Sequence, residues 1–440
     1  MNKDIEKALT NLRVNATRYT RVERYYNGDH DLAFATEKFQ NTFGSLFREF
    51  ALNLCPVICD AVRDKLRITG FSVEDQPRGG TVRLGNPGEA DDAPLAEAAR
   101  VIWHRNRMDR RSGQIHKEAL RGGDAYAIVW PDDSGRAAIY PNRSTNITVV
   151  YDEDLPGQVA WAAKGWRSAD KRTRLNLFYR DRIEKYISRR ETEGSLPETS
   201  DLVPLDPSPA VVPNPYGIVP VFHFANNADL GLTGRSELEP AIPVQDGLNK
   251  SVLDMLVAME FSAFRQRWAT GIEVNVDAEG KPVSPFKAGV DHVWVSNDAG
   301  TKFGDFDAAE LEQFLKVKDS FRVDMASVTG TPLHYFMQSS GDFPSGESLK
   351  KSETRFLAKV RDRQESFGQV WAEMMSFALM IEGRGPNISL LTQWEDASPM
   401  SEREVLENIL LKKQIGLPVE QALVEAGYGT ADVKRMTPTE

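Results

Sequence analysis

Apolar side chains near the start of the chain recur every three or four residues, the spacing of a helix with one buried face. The pattern begins with Ile5, Leu9 and Leu12, and it restarts after each stretch rich in Gly or Pro. One such stretch, residues 74–92, predicts an exposed loop. On this pattern we predict helices over residues 1–28, 45–66, 94–107 and 110–121.

After Gly122-Gly123 the pattern changes to short apolar runs that are separated by turn residues. Runs of this length and spacing are typical of strands in an antiparallel meander. A proline-rich segment at 189–217 interrupts the series and predicts a mobile excursion. The predicted strands are 68–73, 125–130, 137–140, 147–151, 158–166, 173–180 and 219–225.

The C-terminal half is predicted to be mostly helical. Between Val244 and Trp268 the apolar positions nearly encircle the helix axis, and a helix of that kind must be buried by several neighbours. Further helices are predicted over 308–328, 347–382, 401–415 and 418–426, with β-like pieces at 272–276 and 290–295. The fold class we predict is therefore α+β with several domains.

Composition limits the possible function. The chain has 440 residues, 41% of them hydrophobic, which suits two to four subdomains. Its 54 Lys and Arg residues and 64 Asp and Glu residues give a net charge of −10, which disfavours a conventional DNA-binding module. We see no apolar run of the ~18 residues that span a bilayer. Two cysteines exclude a disulfide framework and favour a reducing compartment.

Candidate sites of chemistry are few. Cys55 and Cys59 lie four apart without a second Cys/His pair, so we predict no zinc site. Gly280-Lys281 lacks the upstream Gly of a P-loop. The turn at 122–124 and the acids at 152–154 could serve a monomeric, metal-dependent nucleic-acid-processing or morphogenesis enzyme, but a helix C-cap and a hairpin turn explain them more simply. A scaffold-like interaction protein without a channel is a third possibility.

The stretch from Thr331 to Gly346 has an unusual composition. It is rich in Ser and Gly, and Asp342 is its only charged residue. A long loop between helices is either a disordered connector or a functional segment. The functional interpretation is a loop presented to a moving partner that it must not grip.

Several short stretches between residues 20 and 430 form a series with a distinctive order and spacing. They are Tyr25-Tyr26-Asn27-Gly28-Asp29-His30 running into Phe43-Gly44-Ser45-Leu46-Phe47, Arg121-Gly122-Gly123-Asp124-Ala125-Tyr126, Pro220-Val221-Phe222-His223-Phe224-Ala225-Asn226-Asn227, Gly234-Arg235-Ser236-Glu237-Leu238, Gln245-Asp246-Gly247-Leu248-Asn249-Lys250, Thr329-Gly330-Thr331-Pro332 and Pro344-Ser345-Gly346-Glu347-Ser348-Leu349-Lys350. The series resembles the portal proteins (head-to-tail connectors) of tailed bacteriophages, of the type common in long-tailed phages of actinobacteria. Ser348 departs from the Ala that the family often has there.

The resemblance implies a dodecameric ring at one capsid vertex of the virion, assembled in the host cytoplasm. Its channel would carry double-stranded DNA during packaging and ejection. The implied parts are an α/β wing at 1–233, stem helices at 234–269 and 308–330, a clip at 270–307, a tunnel loop at 331–345, a long helix and wing return at 346–395 and a crown at 396–440.

The resemblance also implies partners, which are the terminase large subunit, a head-tail adaptor and the major capsid protein. Because the packaging ATPase activity belongs to the terminase, we expect that the chain is not an enzyme. We also expect no cofactor, no metal and no membrane contact. The site residues expected are Met337, Gln338, Ser339, Ser340 and Asp342 in the DNA channel, Val252, Leu253, Leu256 and Met259 in stem packing between subunits, and Val290, His292 and Trp294 in the clip that docks terminase or adaptor.

Overall fold

The computed structural model describes most of the chain. The described residues are 3–37, 40–42, 44, 47, 52–73, 89–155, 157–206, 209–230, 233–263, 267–271, 300–305, 311–337, 346–385, 388–398, 402–426 and 433. The chain divides into two compact units. The first comprises Met1–Asp29, Asn53–Ile242 and Ala326–Glu440, and the second comprises His30–Leu52 and Pro243–Met325.

Helices and strands alternate in blocks along the chain. The helices are α1 (Lys3–Tyr26), α2 (Cys55–Asp64), α3 (Glu89–Arg105), α4 (Met108–Gly122), α5 (Ile242–Ala263), α6 (Leu311–Thr329), α7 (Gly346–Ile381), α8 (Glu402–Gln414) and α9 (Val419–Glu425). The strands are β1 (Ile68–Val73), β2 (Asp124–Pro131), β3 (Ala137–Asn142), β4 (Ile147–Tyr151), β5 (Val159–Arg167), β6 (Arg172–Phe178), β7 (Arg182–Glu191), β8 (Leu202–Pro204), β9 (Val211–Pro213), β10 (Val221–Ala225), β11 (Arg267–Thr270), β12 (Lys302–Asp305) and β13 (Leu390–Trp394).

The largest sheet of the first unit runs β4-β5-β6-β7-β8, with β9 also paired to β7, and all its pairs are antiparallel. Since alternate residues of a strand point to opposite faces, the sheet has two distinct surfaces. One face packs against α1 through Leu9, Leu12, Ala163, Leu175 and Leu177. The other packs against the sheet β10-β2-β3 through Tyr126, Ile128, Ala162, Phe178, Ile183 and Val221.

A second core of the first unit lies along α7. Its apolar face buries Phe356, Val360, Phe367 and Trp371. The ring of Trp371 meets that of Trp103 on α3 edge to face, with centroids 5.2 Å apart. Strand β13 pairs antiparallel with β1 beside α7, where the Thr392 hydroxyl donates to the carbonyl oxygen of Gly368 at 2.7 Å.

The second unit contains most of α5 and α6. A Cβ atom on Gly247 would lie 2.8 Å from the ring of Phe321, so the absence of a side chain lets the two helices approach closely. Segment 30–52 is attached to α5, because the side chain of Gln245 donates to the Leu52 carbonyl (2.7 Å) and Asn249 bonds to His30 (2.8 Å). Strands β11 and β12 form an antiparallel pair near the ends of the two helices.

The α+β class is confirmed, and so are the strands 68–73 and 147–151, the long helix near 347–382 and the two helices of the C-terminal tail. The continuous helix over 45–66 is wrong. Residues 52–54 are not helical, and α2 begins at Cys55 with Pro56 in its first turn. Proline has no N–H to donate, so it suits the start of a helix and not its interior. Asn53 accepts the Cys55 N–H there, at 3.1 Å.

Three further expectations need correction. The strands do not form one meander, because β2 and β3 belong to a separate sheet with β10. The excursion at 189–217 contains β8 and β9, which both pair with β7. The helix from Val244 ends at Ala263, and Trp268 lies in β11, where it pairs with Gly304. The predicted pieces 272–276 and 290–295 lie outside the described residues.

Candidate functional site

The end of α4 and the segment that precedes α5 are joined by backbone contacts that involve two glycines, Gly123 and Gly234. Gly123 ends α4 with φ +94°, and its N–H donates to the Ala119 carbonyl at 2.7 Å. A Cβ atom on Gly234 would lie 2.0 Å from the carbonyl oxygen of Gly123, so any side chain there would collide with backbone. The Gly123 carbonyl also accepts the N–H of Asn226 at 2.7 Å. The predicted C-cap at 122–123 is confirmed.

Asp124 follows Gly123 in the sequence, and its carboxylate is fully buried. It accepts hydrogen bonds from four donors, which are Arg18 Nη2 (2.5 Å), Tyr19 Oη (2.7 Å), His223 Nε2 (2.8 Å) and the Gly234 N–H (2.7 Å). Burial alone would raise the pKa of Asp124, but the bonds and charge of His223 and the bonds from Tyr19 and Gly234 lower it below its usual value. The carboxylate is thus an ionised and fully satisfied structural anchor.

His223 extends the network on its other side. Its Nδ1 lies 2.7 Å from the hydroxyl of Tyr151, and its ring stacks on that of Tyr126 with centroids 4.7 Å apart. An ionised carboxylate can only accept, so the Nε2–H donates to Asp124 and, in the neutral ring, Nδ1 accepts from Tyr151. The chain Tyr151–His223–Asp124 resembles a catalytic relay in order. However, its His and Asp side chains are buried and bonded on both sides.

Glu237 forms the centre of a second buried network three residues beyond Gly234. Its Oε1 accepts from Arg363 Nη2 (3.0 Å) and Asn226 Nδ2 (3.1 Å), and its Oε2 lies 2.5 Å from Lys359 Nζ. Burial would raise the pKa of Glu237, but the charges of Lys359 and Arg363 lower it. Because both cations lie on α7, this network attaches the long helix to the segment that leads into α5.

These two networks bring together three of the stretches that carry the portal resemblance, 121–126, 220–227 and 234–238. Two more bonds complete the junction, from the Glu237 N–H to the Leu120 carbonyl (2.9 Å) and from the Ser236 hydroxyl to the Arg121 carbonyl. Sequence reasoning quoted these residues but gave them no role. The signal that could have found them is a buried acid in each of two Gly-containing motifs, since such acids need partners.

The expected stem residues lie on α5. Val252 and Leu253 are buried within the single chain, Leu256 is half-buried, and Met259 is 45% exposed. Of the expected channel residues, Met337 is half-buried after a short 3-10 turn, whereas Gln338, Ser339, Ser340 and Asp342 lie outside the described residues. The clip residues Val290, His292 and Trp294 also lie outside them.

Helix α6 carries several exposed apolar residues. Leu315, Val317, Val323 and Val328 are each between 42% and 48% exposed. Its charged residues balance, with Lys316, Lys318 and Arg322 against Glu312, Asp319 and Asp324. Two of these cations pair within the helix, Lys316 with Glu312 at 2.9 Å and Arg322 with Asp319 at 3.2 Å. The exposed surface of α6 therefore combines apolar side chains with charged side chains whose charges balance.

The enzyme alternative finds little support in this geometry. Asp124 is saturated by protein donors, while Asp152 closes the β4–β5 turn by accepting the Asp154 N–H at 3.0 Å. Cys55 and Cys59 are buried and are not joined in a disulfide. Across the described residues, no group of three or more His, Cys, Asp or Glu side chains is placed to hold a metal ion. Within the same part of the chain, no helix has the length and apolarity of a membrane span.

Comparison with known proteins identifies the family. Residues 83–434 match the sequence model described as phage portal protein, SPP1 Gp6-like. The portal protein of Mycobacterium phage L5 is 29% identical over 238 residues, which is 51% of this chain and 49% of that protein. The portal protein of Mycobacterium phage D29 is 29% identical over 237 residues, 51% of this chain and 48% of that protein. The chain thus spans about half the length of the curated relatives it matches.

Two solved structures contain chains that are similar to this one. One is a chain in the neck of an empty GTA particle, with a TM-score of 0.45 and 14% sequence identity. The match covers 84% of the present chain and 90% of the GTA chain. A chain in the virion of the native gene transfer agent (GTA) particle has a TM-score of 0.41 at 12% identity, with coverages of 76% and 84%. The family match spans most of the sequence, and it agrees with the resemblance of the motif series. The chain therefore belongs to the SPP1 Gp6-like phage portal proteins, which are structural, non-enzymatic components of the phage virion.

Proposed function

We propose that twelve copies of this chain form a ring at one capsid vertex and that double-stranded DNA passes through the ring during packaging and ejection. The observation that carries the proposal is the family match over residues 83–434. In this proposal 234–269 and 308–330, which contain α5 and α6, are the stem, 270–307 the clip, 331–345 the tunnel loop and 396–440 the crown. The remainder forms the wing.

Exposed apolar side chains on the two stem helices support assembly. Met259 on α5 and Val317, Val323 and Val328 on α6 are between 42% and 48% exposed in the single chain. Burial of such surface contributes roughly 25 cal/mol per Å². Val252 and Leu253 are already buried, so we assign them to packing within a subunit, and Leu256 and Met259 to packing between subunits.

A ring of twelve has a suitable size for a duplex. Helices packed about 10 Å apart give a circumference of about 120 Å and a diameter near 38 Å through their axes. Subtracting one helix width of about 10 Å leaves a bore of about 28 Å. A duplex carries one charge per ~1.7 Å of axis, so a cationic bore would grip it along its length. The balanced charges of α6 and the Lys- and Arg-free stretch 331–345 favour sliding.

The clip is the part we propose to dock the terminase large subunit and, after packaging, the head-tail adaptor. Its sequence-predicted contact residues are Val290, His292 and Trp294. At its base, Trp268 and Phe303 on the β11–β12 pair are 37% and 42% exposed, which provides aromatic surface for a partner. The wing is the part proposed to contact the major capsid protein, with assembly in the host cytoplasm.

The native mass of the purified full-length chain tests the ring. Twelve chains of 49.2 kDa give about 590 kDa, and ring-shaped particles in electron micrographs are expected at that mass. A closed ring with a neighbouring number of subunits would still support a channel. A stable monomer at a micromolar protein concentration and a millimolar salt concentration would overturn the assembly proposal.

A further inference from the structure

A strong concentration of positive charge lies on strands β5, β6 and β7 of the wing sheet. Residues 164–190 contain ten Lys and Arg residues and three Asp and Glu residues, a net charge of +7 in a chain whose total is −10. The rest of the chain therefore carries −17. The overall acidity that disfavours a DNA-binding module conceals this local excess.

Several of these cations share one face of the sheet. Asn176 lies opposite Lys164 on one side and opposite Lys185 on the other, and Arg174 lies opposite Trp166 in the next row. Strands are about 4.8 Å apart, so the backbones of Lys164 and Lys185 are roughly 10 Å apart. Lys164 and Lys185 thus occupy one row of this face, and Arg174 and Trp166 occupy the next row. It is the face whose Ala162, Phe178 and Ile183 pack against the sheet β10-β2-β3, and the cations lie farther along it, towards the β5–β6 turn.

The three central cations, Lys164, Arg174 and Lys185, are half-buried and none forms an ion pair with any described residue. The Nε of Arg174 is buried without a hydrogen-bond partner in that set. The ammonium of Lys164 lies 5.0 Å from the ring centroid of Trp166, and burial lowers its pKa. Arg174 acts electrostatically on Asp170 without forming an ion pair with it. A partly desolvated cation that forms no ion pair is costly, so each of these groups gains from an external anion.

More cations continue the surface at the end of the sheet where β5 turns into β6. Lys171 and Arg190 are brought near each other because the Thr192 N–H donates to the Lys171 carbonyl at 2.9 Å. Arg172 and Arg189 lie at the same end, whereas Arg167 lies there on the opposite face, because it pairs with Thr173. The acids at this end are Asp170, which interacts with Arg172 and Arg174, and Glu191, which lies opposite Arg172. By contrast, Arg182 at the other end is neutralised by Asp181 and Glu184. Cations thus outnumber acids from the centre of the sheet to the end at the β5–β6 turn.

We propose that this basic face, centred on Lys164, Arg174 and Lys185, binds the phosphate backbone of double-stranded DNA without sequence preference. A rigid polyanion with a charge every ~1.7 Å can meet cations spread over two rows at once, whereas an acidic protein segment would first have to be ordered. Trp166 adds a flat apolar contact for the sugar edges. The inference goes beyond the proposed channel, and it holds whether or not the chain forms a ring.

Fluorescence anisotropy with the full-length protein and two unrelated duplexes of about 20 base pairs tests this inference. At about 50 mM salt we expect equal micromolar affinities for the two sequences. Replacing Lys164, Arg174 and Lys185 together with Ala should weaken binding at least about tenfold and reduce the slope of log K against log salt by about 3. A matched control, Arg110→Ala with Arg361→Ala and Arg384→Ala, removes the same charge from exposed sites elsewhere and should change affinity less than about twofold.

Two more variants separate binding from folding. Lys164→Arg with Arg174→Lys and Lys185→Arg keeps the charge and should keep the affinity. Arg189→Ala with Arg190→Ala, both on exposed side chains, should reduce the salt slope by about 2 with an unchanged far-ultraviolet spectrum. The inference is overturned if the unaltered protein does not bind duplex at 50 mM salt, or if these losses of charge leave binding unchanged. Preferential binding of poly-glutamate would assign the face to an acidic protein partner instead.

Discussion

The indole N–H of Trp371 donates a hydrogen bond to Nε2 of His116 at 2.9 Å in the interior of the first unit. Both side chains are fully buried. The His116 ring also stacks on Phe367 with centroids 5.6 Å apart. Burial lowers the pKa of His116 to about 3, because a charged imidazolium is poorly solvated in this aromatic surrounding, and the backbone of Leu66 opposes the shift only in part. The fold therefore depends on a neutral histidine.

The first prediction concerns acid stability. The folded pKa of His116 lies below its unfolded value of 6.5, so its contribution is complete above pH 6.5 and is lost as the pH falls from 6.5 towards 3. At pH 4.5 the loss is about 3 kcal/mol relative to pH 7. His116→Gln keeps an acceptor for Trp371 but does not titrate. Urea unfolding at pH 7 and pH 4.5 measures how much free energy of unfolding each protein loses on acidification. The variant should lose less than the unaltered protein, by that amount.

The control for this prediction is His104→Gln on an exposed side chain, which leaves the titrating His116 in place and should keep the acid loss of the unaltered protein. Equal acid losses in His116→Gln and the unaltered protein would contradict the assignment.

The second prediction concerns the close backbone approach of Gly123 and Gly234. Gly234→Ala places a Cβ 2.0 Å from the Gly123 carbonyl oxygen, and backbone on both sides would have to move. We expect a loss of at least about 3 kcal/mol in the free energy of unfolding, and a lower Tm. Gly113→Ala is the matched control. Gly113 lies inside α4 with no atom within 4 Å of the added Cβ, so this change should be neutral or stabilise by up to about 1 kcal/mol.

The junction of stretches 121–126, 220–227 and 234–238 also shows where the sequence was informative and where it was not. Its residues were recognisable because two Gly-containing motifs each carry an acid. Their contact was not predictable, because Asp124 and Gly234 are 110 residues apart and their N–H to carboxylate bond depends on the tertiary fold. For the same reason the β1–β13 pair escaped prediction, since Phe71 pairs with Thr392 across most of the chain.

Local patterns succeeded where burial alone decides the structure. Strand β4 and helix α7 were predicted because their own apolar spacing determines their form. The pattern failed at Pro56, where the apolar period continued through a helix start. It failed again at Trp268, where an aromatic residue at helical spacing instead covers Gly304 in a strand pair. The basic face on β5–β7 escaped because its cations are spread over three strands that only the sheet brings together.

The third prediction concerns Glu237. Glu237→Gln leaves Lys359 and Arg363 buried beside a neutral amide, and we expect a loss of about 3–5 kcal/mol in the free energy of unfolding. Adding Lys359→Met should recover part of that loss, which a double-mutant cycle measures. The pKa of Glu237 is lowered on folding, so its contribution is present above about pH 4.5 and is lost below it.

The control is Glu239→Gln, two residues away and exposed, which should change the free energy of unfolding by less than about 0.5 kcal/mol. If the double variant proves no more stable than Glu237→Gln alone, the two side chains are not energetically coupled.

The fourth prediction concerns the tunnel loop. Gln338, Ser339, Ser340 and Asp342 are proposed to face the DNA, and the loop has no cation. Ser339→Lys with Ser340→Lys would add 24 positive charges to a ring of twelve, and each contact with a phosphate resists sliding. We expect slower or stalled packaging in an in vitro packaging reaction. Unchanged packaging rate and genome length would contradict the placement of these residues, and Ser339→Thr with Ser340→Thr is the uncharged control.

The last prediction separates assembly from folding. Val317 and Val323 on α6 are 42% and 48% exposed in the single chain, so Val317→Glu with Val323→Glu costs little stability in a subunit. Between subunits the same change buries two carboxylates without cations, since the Lys and Arg residues of α6 are already balanced by its acids. We expect native mass to fall from about 590 kDa to that of small species, with unfolding temperature within a few degrees. Val101→Glu, on an equally exposed valine of α3, should leave rings intact. Rings that survive the α6 change would show that assembly depends on another surface, because an uncompensated carboxylate cannot remain in a desolvated interface at neutral pH.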